Sequence, residues 1–317
     1  MKYRNMGGSG LKVSLAGLGC NNFGARIDAE AARKVVDAAL DCGITLFDSA
    51  DIYGAGQSEE FLGRALGKRR HDAVVVTKFG LPMDQREDIN RGSRRYAIAA
   101  VEASLKRLGT DYIDLYLLHT PDAQTPVGET LEAMDTLIRQ GKVRYIGCSN
   151  FAGWQIADAD WRARVEGRQR FIAAQNEWSL LERTAEAEVA PACERFGLGI
   201  MPYFPLACGL LTGKYRRGAA LPEGTRLAKV GESYYPGLLS ARNFAKVEAL
   251  EAWAGERGHT LLELALAWLA SRPVVATVIA GATTPEQIEA NAAAVTGWTL
   301  DADELGALDA VLKDAEA

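Results

Sequence analysis

The residues best suited to catalysis in this sequence are a carboxylate, an amine, a phenol and an imidazole. Asp48, Lys78 and His119 each close a short apolar run, and Tyr53 follows Asp48 closely. A phenol with an ordinary pKa of about 10 is a poor proton donor at neutral pH, but a nearby ammonium stabilises the phenolate and moves the pKa towards neutrality. We therefore predict Tyr53 as a general acid supported by Lys78 and Asp48, with His119 as a neutral hydrogen-bond donor to the substrate oxygen.

Each of these residues also has an ordinary interpretation by itself. Lys78 is an acceptable strand terminus, His119 an acceptable buried histidine, and Asp48 an acceptable cap of the following turn. The prediction therefore depends on their meeting at one place. Such a site can protonate an alkoxide but stores no electrons, so a reduction there requires an organic hydride donor.

Apolar runs rich in Val, Ile, Leu and Tyr alternate with segments of helical period, a pattern typical of an α/β fold with a parallel sheet. The sequence predicts strands at Val13–Leu18, Thr45–Asp48, Val74–Lys78, Ile113–His119, Tyr145–Ser149, Ile172–Gln175, Gly199–Tyr203 and Thr277–Ile279. Eight such units without a linker favour a closed (β/α)8 TIM barrel formed by one domain, residues 1–317. In a barrel the strand C-termini share one rim, where the predicted catalytic residues would meet.

Helical patterns cover the intervening segments. We predict helices at Ala29–Cys42, Glu59–Leu66, Arg94–Leu108, Val127–Gln140, Thr184–Phe196, Ala241–Arg257, Leu261–Ala270 and Pro285–Val295. Asp28 and Thr284 are predicted N-caps, and Gly43, Gly109, Gly141 and Gly197 are predicted to follow helix C-termini. The aperiodic stretch from Tyr215 to Ser240 is interpreted as a functional loop containing a short helix.

The bulk properties exclude several functional classes. The 317 residues carry a net charge of −5 without a long Lys/Arg block, which argues against nucleic-acid binding. We find neither a secretion signal nor a membrane-length apolar stretch and expect a cytoplasmic location. Three scattered histidines predict no metal site. We expect free thiols rather than disulfides at Cys20, Cys42, Cys148, Cys193 and Cys208.

Several segments together resemble a known family. The most specific are Phe47–Gly54 (FDSADIYG), Leu108–His119 (LGTDYIDLYLLH), Gly141–Asn150 (GKVRYIGCSN) and Gly209–Tyr215 (GLLTGKY). Over nearly its whole length the chain is similar to the aldo-keto reductase superfamily, in particular the bacterial branch related to potassium-channel β subunits. The resemblance implies an N-terminal β-hairpin, a long cofactor-covering loop, and hydride transfer from NAD(P)H to a small aldehyde or ketone, or the reverse oxidation.

The resemblance also implies roles for individual residues. Asp48, Tyr53, Lys78 and His119 would form the catalytic tetrad, Ser149, Asn150 and Gln175 would bind the nicotinamide carboxamide, and Tyr203 would stack on its ring. The segment Leu206 to Lys214 would wrap the pyrophosphate, and Gly281 to Asn291 would hold the adenosine end. The individual residues expected to touch the cofactor beyond the nicotinamide are Pro205, Leu206, Ala207, Gly209, Leu211, Lys214, Gly281, Thr283, Gln287 and Asn291.

The sequence departs from many relatives where the 2′-phosphate of NADPH would lie. Thr283 and Gln287 stand where relatives commonly carry a cation. We favour NADP over NAD because Thr283, Thr284 and Gln287 can donate hydrogen bonds and because an arginine of the long loop, Arg216, Arg217 or Arg226, could approach. NAD stays an open alternative.

Two other functions remain open from the sequence. Lys78 could form a Schiff base in an aldolase, and the chain could be a non-catalytic subunit that senses nicotinamide nucleotides. For the substrate pocket, Phe23, Phe79, Phe151 and Trp154 are candidate apolar walls. The arginines of the segment Leu81 to Arg95 could recognise an anionic substrate, but we favour the interpretation of a solvated charged loop.

Overall fold

An antiparallel hairpin precedes the main sheet in the computed structural model, which describes residues 1–230 and 235–315. Strands β1 (Tyr3–Asn5) and β2 (Lys12–Ser14) form this hairpin. The predicted strand Val13–Leu18 is therefore wrong, because it joins part of the hairpin to the first barrel strand. The reason is Ser14, whose hydroxyl donates to the carbonyl of Ala16 (2.6 Å) and accepts from the Thr45 N–H (2.9 Å), so the chain turns at this point.

Eight parallel strands follow, in an order that agrees with the predicted barrel. They are β3 (Ala16–Gly19), β4 (Leu46–Asp48), β5 (Val74–Phe79), β6 (Ile113–Leu118), β7 (Val143–Ser149), β8 (Ala173–Gln175), β9 (Gly199–Ile200) and β10 (Val278–Gly281). Each pairs with its neighbour in sequence order, and β10 returns to pair with β3. Backbone hydrogen bonds across the last gap, from Ala276 N–H to Ile200 O (2.9 Å) and from Ile279 N–H to Pro202 O (3.2 Å), complete the cylinder.

Helices surround this sheet. They are α1 (Ala29–Asp41), α2 (Gln57–Leu66), α3 (Arg94–Leu108), α4 (Val127–Arg139), α5 (Gly153–Val165), α6 (Val189–Phe196), α7 (Arg226–Val230), α8 (Ala241–Gly255), α9 (Leu261–Ala270), α10 (Pro285–Gly297) and α11 (Ala302–Asp314). The predicted caps are confirmed: Asp28 and Thr284 accept backbone N–H groups, and the predicted glycines adopt positive φ. The segment from Tyr215 to Ser240 contains the predicted short helix, α7, while its residues 231–234 lie outside the described residues and its role as a functional loop stays a prediction.

Two helices, α5 and α11, were not predicted, and the predicted start of α6 was wrong. In α5, Trp154 and Trp161 are 66% and 61% exposed, so apolar residues on the outer face obscure the helical period. The start of α11 could have been predicted from the sequence, since Asp301 and Glu304 form a capping box. The predicted helix Thr184–Phe196 starts as a separate 3-10 turn, and α6 proper begins at Val189.

The apolar core has two parts because side chains alternate along each strand. Inside the barrel lie Val76, Leu115, Leu117 and Met201, with Met6 of the hairpin connection among them. The larger part packs between the sheet and the helices. On β5 this alternation directs Val76 and then Lys78 inwards, so the amine is held inside the barrel near its C-terminal rim.

No helix within the described part of the chain is both long and apolar enough to cross a membrane. The five cysteines are free, as predicted, and Cys42 alone among them is not fully buried.

Candidate active site

The residues predicted to act in catalysis come together at the C-terminal rim of the barrel. Asp48 is the last residue of β4, Lys78 lies near the end of β5, and His119 directly follows β6. Tyr53 begins a 3-10 turn after β4. The chain adopts this turn because Gly54 supplies a left-handed conformation (φ 57°) where an added Cβ would come within 2.8 Å of the Phe23 carbonyl oxygen.

Lys78 lies at the centre of the site. Its Nζ is 2.8 Å from Asp48 Oδ1 and donates to Oδ2 at 2.9 Å, to the Ser49 carbonyl at 2.7 Å and to the Tyr53 hydroxyl at 3.4 Å. The side chain is fully buried, and Asp48 is only 3% exposed. The ammonium is thus fixed between a carboxylate that neutralises it and the phenol that it is positioned to assist.

Electrostatics keep these groups in defined protonation states. Burial disfavours the charged form of Lys78, but Asp48 and Tyr53 outweigh it and the pKa of Lys78 is raised, so the amine stays an ammonium. Burial raises the pKa of Tyr53 above its ordinary value, although Lys78 acts in the opposite direction. The expected direction of the Lys78 effect on this pKa is confirmed, but the net shift is upward because desolvation of the phenolate is larger than the attraction of one ammonium.

The imidazole of His119 faces Tyr53 with ring centroids 5.8 Å apart and an interplanar angle of 82°. Burial and the nearby Lys78 charge lower the pKa of His119 to about 3, so the ring is neutral at physiological pH. Its Nδ1 is buried and has no hydrogen-bond partner among the described residues. A neutral ring beside the phenol can orient a substrate oxygen by hydrogen bonding without supplying a proton itself.

A hydrogen-bonded group of polar side chains lies beside this corner, at the ends of the next strands. Asn150 donates to the His119 carbonyl (2.9 Å) and to the Ser149 hydroxyl (3.2 Å), and accepts from the Tyr203 hydroxyl (2.8 Å). Gln175 donates to Asp48 Oδ1 at 2.9 Å. The side chains expected to hold a nicotinamide therefore adjoin the tetrad and are linked to it by hydrogen bonds.

The segment expected to wrap a pyrophosphate has an unusual backbone. Phe204, Ala207, Cys208 and Gly209 all have positive φ between 44° and 95°, and the N–H groups of Ala207 and Gly209 donate to the carbonyls of Phe204 and Leu206 in successive tight turns. The segment comprises Pro205, Leu206, Ala207, Gly209, Leu211 and Lys214 with their neighbours. Gly209 approaches Lys214 so closely that an added Cβ would lie 2.8 Å from its Nζ, so the ammonium sits directly against the turn.

Sequence reasoning missed Arg26, which lies in the loop after β3. Its guanidinium donates to the carbonyl of Gly224 in the long loop at 3.1 Å. Burial and Arg226 lower the pKa of Arg26, and burial and Arg26 lower the pKa of Lys214. These three cations therefore lie close enough to repel one another, and no carboxylate among residues 1–230 and 235–315 forms an ion pair with any of them. No sequence pattern near residue 26 indicates this grouping, because its members come from separate loops.

The sequence matches the model of the Aldo/keto reductase family over residues 16–313. It is 40% identical to the "Uncharacterized oxidoreductase YrpG" of Bacillus subtilis, covering 91% of this chain and 89% of that protein. A "Probable voltage-gated potassium channel subunit beta" of Arabidopsis thaliana is 39% identical (93% and 91%). An "L-glyceraldehyde 3-phosphate reductase" of Escherichia coli O157:H7 is 32% identical (100% and 94%).

The chain belongs to the aldo/keto reductase family.

In this aldo/keto reductase the region expected to hold the adenosine end lies at the start of α10. Thr283 donates its N–H and its hydroxyl to Gln287 Oε1, at 2.8 and 3.1 Å, so these two side chains act as one unit. Gly281 is exposed at the end of β10, and Asn291 is buried one turn beyond Gln287. Arg216 and Arg217 pair with Glu251 and Glu248 respectively, which leaves Arg226 as the loop arginine available to a phosphate.

The candidate pocket residues of this family member are mostly packing residues. Phe23, Phe79 and Phe151 are at most 3% exposed, so the prediction that they wall an open pocket is wrong: packing against the helices buries them. Trp154 is exposed on α5.

The arginine-rich loop between β5 and α3 is largely neutralised by acids. Arg86 pairs with Asp88, Arg91 with Asp84, and Arg94 with Glu132. These pairs favour the interpretation of a solvated charged loop over that of an anion-binding surface.

Proposed function

We propose that this protein is an NADPH-dependent reductase of small aldehydes and ketones in which Tyr53 is the general acid. The observation that carries the proposal is the position of Lys78 Nζ, which is bonded to Asp48 on one side and lies 3.4 Å from the Tyr53 hydroxyl on the other. This arrangement supports proton donation by a phenol whose conjugate base would be stabilised as it forms.

When bound, the nicotinamide supplies a hydride to the carbonyl carbon. The chain's own residues handle the oxygen: Tyr53 donates its proton to the developing alkoxide, and the Lys78 ammonium stabilises the phenolate that remains. His119, neutral at working pH, donates a hydrogen bond to the same oxygen and orients it. In the oxidative direction the phenolate takes the proton back.

The residues present fit a nicotinamide dinucleotide. Ser149, Asn150 and Gln175 supply hydrogen-bonding groups beside the tetrad. The cations Arg26 and Lys214, which lie close to each other beside the left-handed turn at 204–209, offer positive charge to a pyrophosphate. Cations that lack acidic partners are unfavourable until an anion binds, which supports a phosphate site.

We favour NADPH over NADH because Arg226 has no acidic partner among the described residues, whereas Arg216 and Arg217 are engaged. Thr283 and Gln287 add hydrogen-bonding capacity at the adenosine end. Cation-to-phosphate bonds are stronger than neutral ones, so one arginine can decide the preference.

A second candidate is a nucleotide-sensing subunit, which the 39% identity to a probable channel β subunit supports. Such a protein would bind the cofactor but transfer hydride slowly. The Schiff-base aldolase is less well supported, because a nucleophilic lysine must lose its proton and Asp48 and Tyr53 raise the pKa of Lys78.

The test is a fluorescence titration with NADPH and NADH, followed by stopped-flow mixing of the NADPH complex with aldehydes, ketones and sugars. We expect tighter binding of NADPH and rapid oxidation of the bound cofactor by at least one carbonyl class. Tight binding without oxidation by any of them would support the sensing subunit. Borohydride trapping of a substrate on Lys78, without any cofactor oxidation, would support the aldolase.

A further inference from the structure

A buried acid that the mechanism does not use lies directly behind the catalytic rim. Asp51 is 1% exposed, and neither of its carboxylate oxygens has a hydrogen-bond partner within the described residues. Burying an ionised carboxylate without hydrogen bonds costs free energy. The Asp51 side chain is therefore either neutral much of the time or retained for a function, and the residues around it indicate that function.

Asp51 shares its layer, between the sheet and helices α2 and α3, with a second acid. Glu59 is fully buried, accepts a hydrogen bond from the Thr77 hydroxyl at 2.5 Å and pairs with Arg107 at 2.6 Å. Arg107 thus lies near two carboxylates, those of Asp51 and Glu59, and forms its ion pair with Glu59. The other titratable groups that interact with Asp51 are Tyr96 on α3, Tyr116 on β6 and Lys78 on β5.

The backbone connects Asp51 to both partners of the proton-donating pair. Its N–H donates to the Lys78 carbonyl at 3.2 Å, and Tyr53 N–H donates to the carbonyl of the adjacent Ala50 at 3.2 Å. The backbone of Asp51 therefore holds the turn that carries Tyr53 against the strand that carries Lys78. Any charge on its side chain lies just across β5 from the Lys78 ammonium.

We propose that Asp51 is a positioning residue for the reaction, which by gaining and losing a proton sets the charge behind Lys78 and thereby the acid strength of Tyr53. The inference rests on the proposed reductase function. Asp51 exchanges its proton with solvent and does not pass it to the substrate, which receives its proton from Tyr53.

The direction of the effect follows from the charges. Burial and the neighbouring Glu59 raise the pKa of Asp51 to about 7, against the opposite influence of Arg107, the nearby backbone N–H of Ile52 and Lys78. Below this pH the group is neutral, and the site as a whole is more positive. Above it a negative charge appears behind Lys78, which disfavours the phenolate and makes Tyr53 a weaker acid. The reduction should therefore weaken as the pH rises through about 7, before Tyr53 itself titrates.

The decisive variant is Asp51→Asn, which keeps the shape and stays neutral. We expect the wild-type pH profile of kcat for carbonyl reduction to contain a step near pH 7 that this variant lacks. In this variant the high-pH limb of the profile, where Tyr53 titrates, should also shift to lower pH by about one unit. This is the order expected for one charge acting across a layer of side chains at an effective dielectric constant of about 20. The matched control is Asp72→Asn, since the Asp72 side chain is 64% exposed and far less able to perturb the site. Superimposable profiles for wild type and Asp51→Asn would overturn the proposal, because loss of a merely structural contact lowers activity without changing the shape of the profile.

A second measurement needs neither the variant nor the cofactor. Infrared spectroscopy of wild-type protein labelled with ¹³C-aspartate should detect a protonated aspartate carboxyl that disappears as the pH rises through about 7. If no aspartate titrates there, the proposal is refuted even if Asp51→Asn fails to fold. A titrating aspartate in a protein that reduces no carbonyl would instead refute the proposed function, so the two failures are distinguishable.

Discussion

The proposed catalytic corner (Asp48, Tyr53, Lys78 and His119) and the proposed phosphate-binding loop region (residues 204–214 with Arg26 and Arg226) treat charge in opposite ways. In the corner, the Lys78 ammonium and the Asp48 carboxylate are buried 2.8 Å apart and neutralise each other. Around the left-handed turn at 204–209, the cations Arg26, Lys214 and Arg226 approach one another, and no acid in the described part of the chain pairs with them.

This contrast indicates a different role for each region. A buried pair with good geometry keeps its partners in place without a ligand, so the acid–base groups are assembled before the substrate arrives. Unpaired cations repel one another until an anion binds, so the loop region gains its full stability only with a ligand. The corner should therefore control the chemical step and the loop region should control affinity.

Replacing Tyr53 by Phe gives the largest expected effect and tests the corner. The ring remains but the proton donor is lost, so we expect kcat for carbonyl reduction to fall by about 10²–10⁴-fold while the Kd for NADPH changes by less than about twofold. Steady-state kinetics and fluorescence titration measure the two quantities.

The matched control is Tyr3→Phe, which removes an exposed hydroxyl bonded to the Gly43 carbonyl. It should leave both quantities unchanged. A near-normal kcat in Tyr53→Phe would show that Tyr53 is not the general acid. A parallel loss of NADPH binding would show that the two regions do not separately control the chemical step and the affinity.

Replacing Arg226 by Gln tests the loop region with a smaller effect. Loss of one charge-assisted bond to a phosphate should weaken NADPH binding by about tenfold and NADH binding by about threefold or less, with kcat nearly unchanged. Arg216→Gln is the control, since Arg216 is held by Glu251. Equal losses for both cofactors would assign Arg226 to the shared pyrophosphate and remove the reason for favouring NADPH.

The smallest expected effect concerns stability and returns to the corner. His119 has a pKa of about 3 in the folded protein and about 6.5 when unfolded, so below pH 6.5 the unfolded chain binds a proton that the folded one does not. The free energy of unfolding should therefore fall with decreasing pH, and between pH 6 and pH 5 it should fall by about 1 kcal/mol more in wild type than in His119→Gln. Urea denaturation at the two pH values measures this, and equal slopes would show that His119 is not held neutral.

Much of the fold and of the site was predictable because the relevant signals are local. An apolar strand that ends in Asp48 or Lys78 indicates a rim residue wherever the strand lies in the barrel, and Asp28 or Gly109 marks a helix end through bonds to its own neighbours. The errors also have local causes, as when the Ser14 hydroxyl divides an apolar run that reads as one strand.

Properties that depend on distant segments were not predictable. Arg26 meets Arg226 and Lys214 only because the loop after β3 and the long loop close over the same end of the barrel. The net rise in the pKa of Tyr53 required knowing how completely the phenol is buried, and the exclusion of Phe79 from the pocket required knowing that it stacks on Tyr116.

The sequence alone determined the kinds of groups available and their order along the strands, since residue type and alternation are properties of the chain itself. Which charges meet, and which have no partner among the described residues, depends on how the chain packs. Coulombic interactions and desolvation depend on distance and burial, and both quantities arise only when segments far apart in sequence pack together.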